Sequence, residues 1–118
     1  MNMEITIVRT PISKAMLGEM AKQQFGDMVK VVVDIGRGIM AVGGELHSDE
    51  ESALLDDGSA QRNLWGINLY PGRTASDWIE YDSMINIRPS EGNRSRSVDN
   101  ATTKASIVGV VSRLVIGA

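Results

Sequence analysis

The chain is read as α+β: a single domain over residues 1–118, with about five mostly antiparallel strands and helices on one face, in the order β-α-β-β-α-β-β-α. Three observations predict that class. Short runs alternate apolar and polar residues, as half-buried strands do, and two longer segments repeat apolar residues at three- and four-residue spacing, as amphipathic helices do. Gly36-Arg37-Gly38 and Pro71-Gly72 fall between strand-like runs, where hairpin turns belong. A chain of this length buries about two-thirds of its unfolded surface and needs no metal or disulfide to hold a core.

Met3 to Arg9 alternates with Met3, Ile5 and Ile7 on one face and predicts the first strand. Thr10-Pro11 ends it and opens a helix over 11–25, with Thr10 as cap, Ile12, Met16 and Met20 on its apolar stripe, Leu17 and Ala21 beside them, and Gly26 as its stop. Val29–Ile35 and Ile39–Gly43 predict a hairpin in which Ile35 faces Ile39, Val33 faces Ala41 and Val31 faces Gly43. Ser48-Asp49-Glu50-Glu51 is a capping box, so a short helix runs from there through Leu55 to Gly58.

Leu64–Tyr70 and Trp78–Arg88 predict a second strand pair, with Tyr70 facing Trp78, Asn68 facing Glu80 and Gly66 facing Asp82. Trp65, Ile67, Leu69, Ile79, Tyr81, Ile85 and Ile87 then point to the core, and a polar row of Asn68, Glu80, Asp82, Asn86 and Arg88 lies on the other side. The last segment is rich in β-branched residues, which suit a strand, but its apolar positions 107, 110, 111, 114 and 118 follow a helical stripe. It is read as a helix over 101–117, capped by Asp99 or Asn100.

Composition excludes several classes. Twelve basic and fifteen acidic residues give a formal charge of -3, which argues against broad binding to nucleic acid or an anionic membrane. The absence of cysteine excludes disulfides, thiolate metal sites and thiol nucleophiles. Met1-Asn2-Met3-Glu4 lacks the pattern of a signal peptide and no apolar run approaches a spanning helix, so the expected location is cytoplasmic. No Gly-Lys-Ser/Thr phosphate loop, Gly-x-Ser-x-Gly elbow or dinucleotide glycine motif is present.

Four blocks are distinctive: Gly38 to His47 (GIMAVGGELH), Asp57-Gly58-Ser59, Leu64 to Pro71 (LWGINLYP) and Asp82 to Arg96 (DSMINIRPSEGNRSR). Through them the chain resembles a family of short uncharacterised prokaryotic proteins, a domain of unknown function. The resemblance covers nearly the whole chain and implies no catalytic residue or cofactor.

The candidate sites therefore rest on side-chain chemistry. Arg88, Arg94 and Arg96, with Asn93 among them, form the densest polar tract and are expected to anchor a small anion through guanidinium forks. Asn68 and Asp82, on the polar sheet face, join them as ligand-binding candidates. His47 and Glu45 are the catalytic candidates, since a histidine titrates near neutrality and the two share a face if the strand before them continues. Glu45, His47 and Asp49, with Asp56 and Asp57, are weaker as a magnesium or manganese set, and no metal site is assigned. Two readings stay open: a binding or enzymatic site for a small anionic metabolite, and a non-catalytic homo-oligomer, for example a homodimer, whose polar sheet face and arginines form the interface.

Overall fold

Residues 4–74 and 77–117 are described by the computed structural model of the chain. The strands are β1 (Thr6–Val8), β2 (Ile12–Ser13), β3 (Val29–Asp34), β4 (Ile39–Val42), β5 (Leu64–Leu69), β6 (Ile79–Glu80) and β7 (Val115–Ile116), and the helices are α1 (Lys14–Gln23), α2 (His47–Asp56) and α3 (Ala101–Leu114). Five strands form one sheet in the order β1-β4-β3-β5-β6, with every neighbouring pair antiparallel, and β2 and β7 form a separate parallel pair. The α+β class follows.

Four valines in the six residues of β3 place it at the centre, where β-branched side chains on both faces are buried. Val31 and Val33 join Met40 and Val42 of β4, Trp65, Ile67 and Leu69 of β5, Leu17 and Ala21 of α1, and the buried stripe of α3. Val32 faces the other way, toward Ile39, Ala41, Leu64 and Leu54 of α2. Helices α1 and α3 cover the face expected, and α2 covers part of the opposite one. Because α2 leaves β4 at Gly43-Gly44 and packs back over Val32 and Ala41, the second face is polar only beyond its reach.

The β3–β4 register differs from the expected one by a residue: Asp34 pairs with Ile39, Val33 with Met40, Val32 with Ala41 and Val31 with Val42. Asp34 is the cause. Its Oδ1 accepts from the amides of Gly36 and Arg37 at 2.8 and 2.9 Å, drawing Ile35 into the turn and lengthening the loop. A one-residue slip exchanges the faces, so Val33 meets Met40 over the large core and not Ala41.

Helix α1 starts later than expected. Ser13 is the cap, its Oγ accepting from the amide of Met16 at 3.0 Å, because Ile12 and Ser13 are drawn out to pair with Val115 and Ile116. Of the expected apolar side, Leu17 and Ala21 are buried while Met16 is left 53% exposed, and Gly26 closes the helix at a φ of +95° as expected. Ile5 and Ile7 pack on the α2 side as one face of the first strand; Met3 lies outside the described residues.

The β5–β6 register is the expected one, with Asn68 opposite Glu80 and the Tyr70 amide donating to Trp78 O at 2.8 Å. β6 ends at Glu80, however, and the strand expected to continue to Arg88 is replaced by single 3-10 turns at Met84–Asn86 and Pro89–Glu91. Trp65, Ile67, Leu69, Ile79 and Tyr81 face the large core, whereas Ile85 packs on the α2 side and Ile87 is exposed. Helix α3 is capped by Asn100, whose Oδ1 accepts from Thr103 N at 3.0 Å, and buries Ile107, Val110, Val111 and Leu114. Position 118 lies outside the described residues.

Candidate functional site

Where β6 stops, the chain crosses β5 and opens a cleft of about 460 Å³ between the start of α2, the β3–β5 ladder and the 3-10 turn after Ser83. Its polar lining comes from Lys30, His47, Asn68, Glu80, Asp82 and Arg96, with Ser48 and Ser83 beside them. Met28, Leu46, Met84 and Ile85 supply apolar walls, and Leu46 and Met84 are 53% and 65% exposed at its border. The two tracts singled out in the sequence thus meet in part: His47, Asn68, Asp82 and Arg96 line one cleft.

Helix α2 begins two residues earlier than the capping box predicts, with its N-cap at Leu46 and not Ser48. Leu46 occupies the N-cap without a side-chain hydrogen bond, Ser48 is exposed, and the amides of His47 and Ser48 have no acceptor among the described residues. Glu50, not Glu51, turns back: its Oε2 accepts from Gly44 N at 2.9 Å, in space that a Cβ on Gly44 would fill. Glu50 is completely buried, and desolvation pushes its carboxyl up to about 9 although the Gly44 amide opposes the shift. The acid is therefore neutral at neutral pH.

His47 is buried against Ile67, whose carbonyl lies 2.8 Å from Nε2. A carbonyl only accepts, so Nε2 carries the proton and Nδ1 of the neutral ring is the acceptor. Nδ1 has no partner among the described residues and is not walled off from solvent. Desolvation lowers the ring below its ordinary pKa, outweighing the Ile67 carbonyl, and Lys30 and Arg96 act in the same direction as burial. Glu45 is exposed and outside the cleft: Gly43, at a φ of +94°, breaks the strand before the two side chains can share a face.

The arginine tract divides. Arg88 is buried, stacked 3.9 Å from the Trp65 ring, and donates to Gln61 O at 2.9 Å and Leu64 O at 2.7 Å. Asn93 is buried as the loop's internal tie: Nδ2 donates to Asn86 O and Ser97 O at 2.7 and 2.8 Å, and Oδ1 accepts from Asp99 N at 2.8 Å. Both are occupied by the fold. Arg94 is exposed and does not line the cleft. Arg96 does, pairing with Asp82 Oδ1 at 2.6 Å through Nε alone, so its two terminal nitrogens have no partner among the described residues.

Asn68 donates through Nδ2 to Glu80 Oε1 at 2.8 Å, an oxygen that also accepts from Tyr70 Oη at 3.0 Å. Its own Oδ1 is buried without a partner among the described residues. Lys30, directly opposite Asn68 in the ladder, was not among the sequence candidates. The signal that would have found it is register: given the Asn68–Glu80 pairing, the residue facing Asn68 from the other side shares that row. Of the weaker metal set, Asp57 is held between Arg9 at 2.7 Å and Arg37 at 2.8 Å, and these contacts lower its carboxyl pKa. Among the described residues no three histidine or acidic side chains are grouped to hold a metal ion.

No helix among the described residues is long and apolar enough to cross a membrane. No curated protein and no solved structure shows significant similarity to the chain. A family model described as a protein of unknown function (DUF5674) matches residues 6–114. By that match the chain belongs to the DUF5674 family.

Proposed function

We propose that the protein is a cytoplasmic, small-molecule-binding protein whose cleft takes an organic metabolite through an anionic group. One observation carries the reading: side chains from separate segments, Lys30, His47, Asn68, Asp82 and Arg96, converge on a single cleft in which the Arg96 fork has no partner at either terminal nitrogen among the described residues. A guanidinium presenting two N–H groups matches a carboxylate or phosphate in geometry as well as charge. The uncapped amides of α2 add donors at the positive end of a helix dipole, and Leu46 and Met84 offer an apolar wall to the rest of the ligand. Within this reading Arg88 and Asn93 hold the loop that carries Arg96, and His47, with Nδ1 open, is the cleft's proton acceptor.

The test is thermal stabilisation of the wild type and of Arg96→Ala by small carboxylates, phosphate esters and amino acids. A true ligand at a hundred times its Kd stabilises the fold by about 2.7 kcal/mol. Stabilisation of the wild type that Arg96→Ala abolishes is the expected result. If no member of the panel stabilises the wild type, the reading fails. Size-exclusion chromatography of both proteins checks the interface alternative: a wild-type oligomer that Arg96→Ala dissociates assigns the arginine to a subunit contact.

A further inference from the structure

The cleft holds more hydrogen-bond acceptors than an anion would use. Asn68 is only 6% exposed, yet its Oδ1 has no partner among the described residues, and its Nδ2 is already given to Glu80. A buried amide oxygen left without a donor is costly, by about 1–3 kcal/mol, so in the working protein something donates to it. His47 Nδ1 is a second open acceptor, fixed in that role because Ile67 O holds the proton on Nε2. Asp82 uses only Oδ1 toward Arg96.

Charge points the same way. Lys30 and Arg96 are balanced by Glu80 and Asp82, and His47 is neutral, so the lining has no net charge. An anion entering such a cleft gains little from the field as a whole, whereas a ligand carrying both signs pairs each with its complement. The donors, meanwhile, are the Arg96 terminal nitrogens, Lys30 and the free amides of His47 and Ser48.

We propose, building on the reading of the cleft as a ligand site, that its ligand is a small zwitterion of the α-amino-acid class with an apolar side chain. The ligand ammonium donates to Asn68 Oδ1 and Asp82, with His47 Nδ1 as the remaining acceptor. The carboxylate lies on the Arg96 fork and the start of α2. The apolar side chain rests on Leu46 and Met84, two large side chains that the fold itself leaves exposed. A cleft of about 460 Å³ suits a ligand of this size.

Calorimetric titration separates this inference from the reading beneath it. The probes are L-leucine and L-methionine, each with its deaminated acid (4-methylpentanoate and 4-(methylthio)butanoate) and its decarboxylated amine (3-methylbutylamine and 3-(methylthio)propylamine). At least one amino acid is expected to bind ten times or more tightly than either of its one-ended analogues. An acid that binds as tightly as its amino acid overturns the zwitterion and leaves the anion site standing. No binding by any probe overturns the zwitterion too, and the carboxylate and phosphate panel then decides the anion reading separately. Two variants of partly exposed residues, checked for fold by circular dichroism, complete the test. Asp82→Asn is expected to remove the preference for the amino acid over the acid, and Arg96→Ala to weaken both; an unchanged preference in Asp82→Asn contradicts the assigned ammonium contact.

Discussion

The side-chain amide of Asn86 takes the place of a strand neighbour for β5. Its Oδ1 accepts from Gly66 N at 2.8 Å and its Nδ2 donates to Gly66 O at 2.9 Å and Arg96 O at 3.0 Å, all in a completely buried position. This explains why β6 stops early without leaving β5 unpaired, and why residue 66 is glycine: a Cβ there would lie 2.5 Å from Ser83 Cβ and Oγ. Asn86→Ala strands those backbone groups and is expected to destabilise the protein by about 3 kcal/mol or more, read by urea denaturation. At Arg88, where a planar cation both stacks on Trp65 and forks onto two carbonyls, lysine is no substitute, and Arg88→Lys is expected to lose about 1–2 kcal/mol in the same assay. Glu50 gives a pH signature. The fold keeps its carboxyl neutral up to about 9, while an unfolded chain ionises it in the ordinary carboxylate range, so between those limits rising pH favours unfolding through this residue. Glu50→Gln removes the titrating group, and its stability relative to wild type is expected to improve steadily as pH rises toward 9, measured by denaturation at several pH values.

Helix boundaries decide the site at the scale of elements. The sequence pattern Ser48–Glu51 reads as a cap, but the preceding Gly43-Gly44 turn brings Leu46 to the N-cap and diverts Glu50 to Gly44 N. Ser48→Ala is therefore expected to change stability by less than about 0.5 kcal/mol, whereas Asn100→Ala, which removes a cap that is used, costs about 1 kcal/mol. Leu46→Asp supplies the missing cap and is expected to raise Tm while suppressing stabilisation by the amino-acid probes, because its carboxylate takes the amides assigned to the ligand. The same kind of competition delays α1: Thr10-Pro11 is a sound start by local chemistry, but pairing of Ile12 and Ser13 with β7 wins and Ser13 becomes the cap.

One sheet joins two cores at the scale of the whole molecule, since Val31 and Val33 face α1 and α3 while Val32 between them faces α2. Leu54→Ala, a change on the α2 side, is expected to cost about 2–5 kcal/mol and to shift tryptophan fluorescence, which reports Trp65 and Trp78 in the other core, together with far-UV circular dichroism. Separate transitions would show the cores to be independent. The runs of β1, β3, β4 and β5, the α3 stripe with Asn100, the Asn68–Glu80 register and the stops at Gly26 and Gly58 were legible in the sequence, because each depends on neighbours a few residues apart or on side-chain periodicity. So were four residues of the cleft, His47, Asn68, Asp82 and Arg96, as polar groups beyond what their segments need. Tertiary structure decided which of these meet. Lys30 and Leu46 enter the cleft through pairing and helix start, and Arg88 and Asn93 leave the candidate set because buried carbonyls from distant segments claim their donors. Local patterns set what a segment can form; long-range hydrogen bonds, made only once the segments are packed, settle which polar groups the fold uses up and which remain open to a ligand.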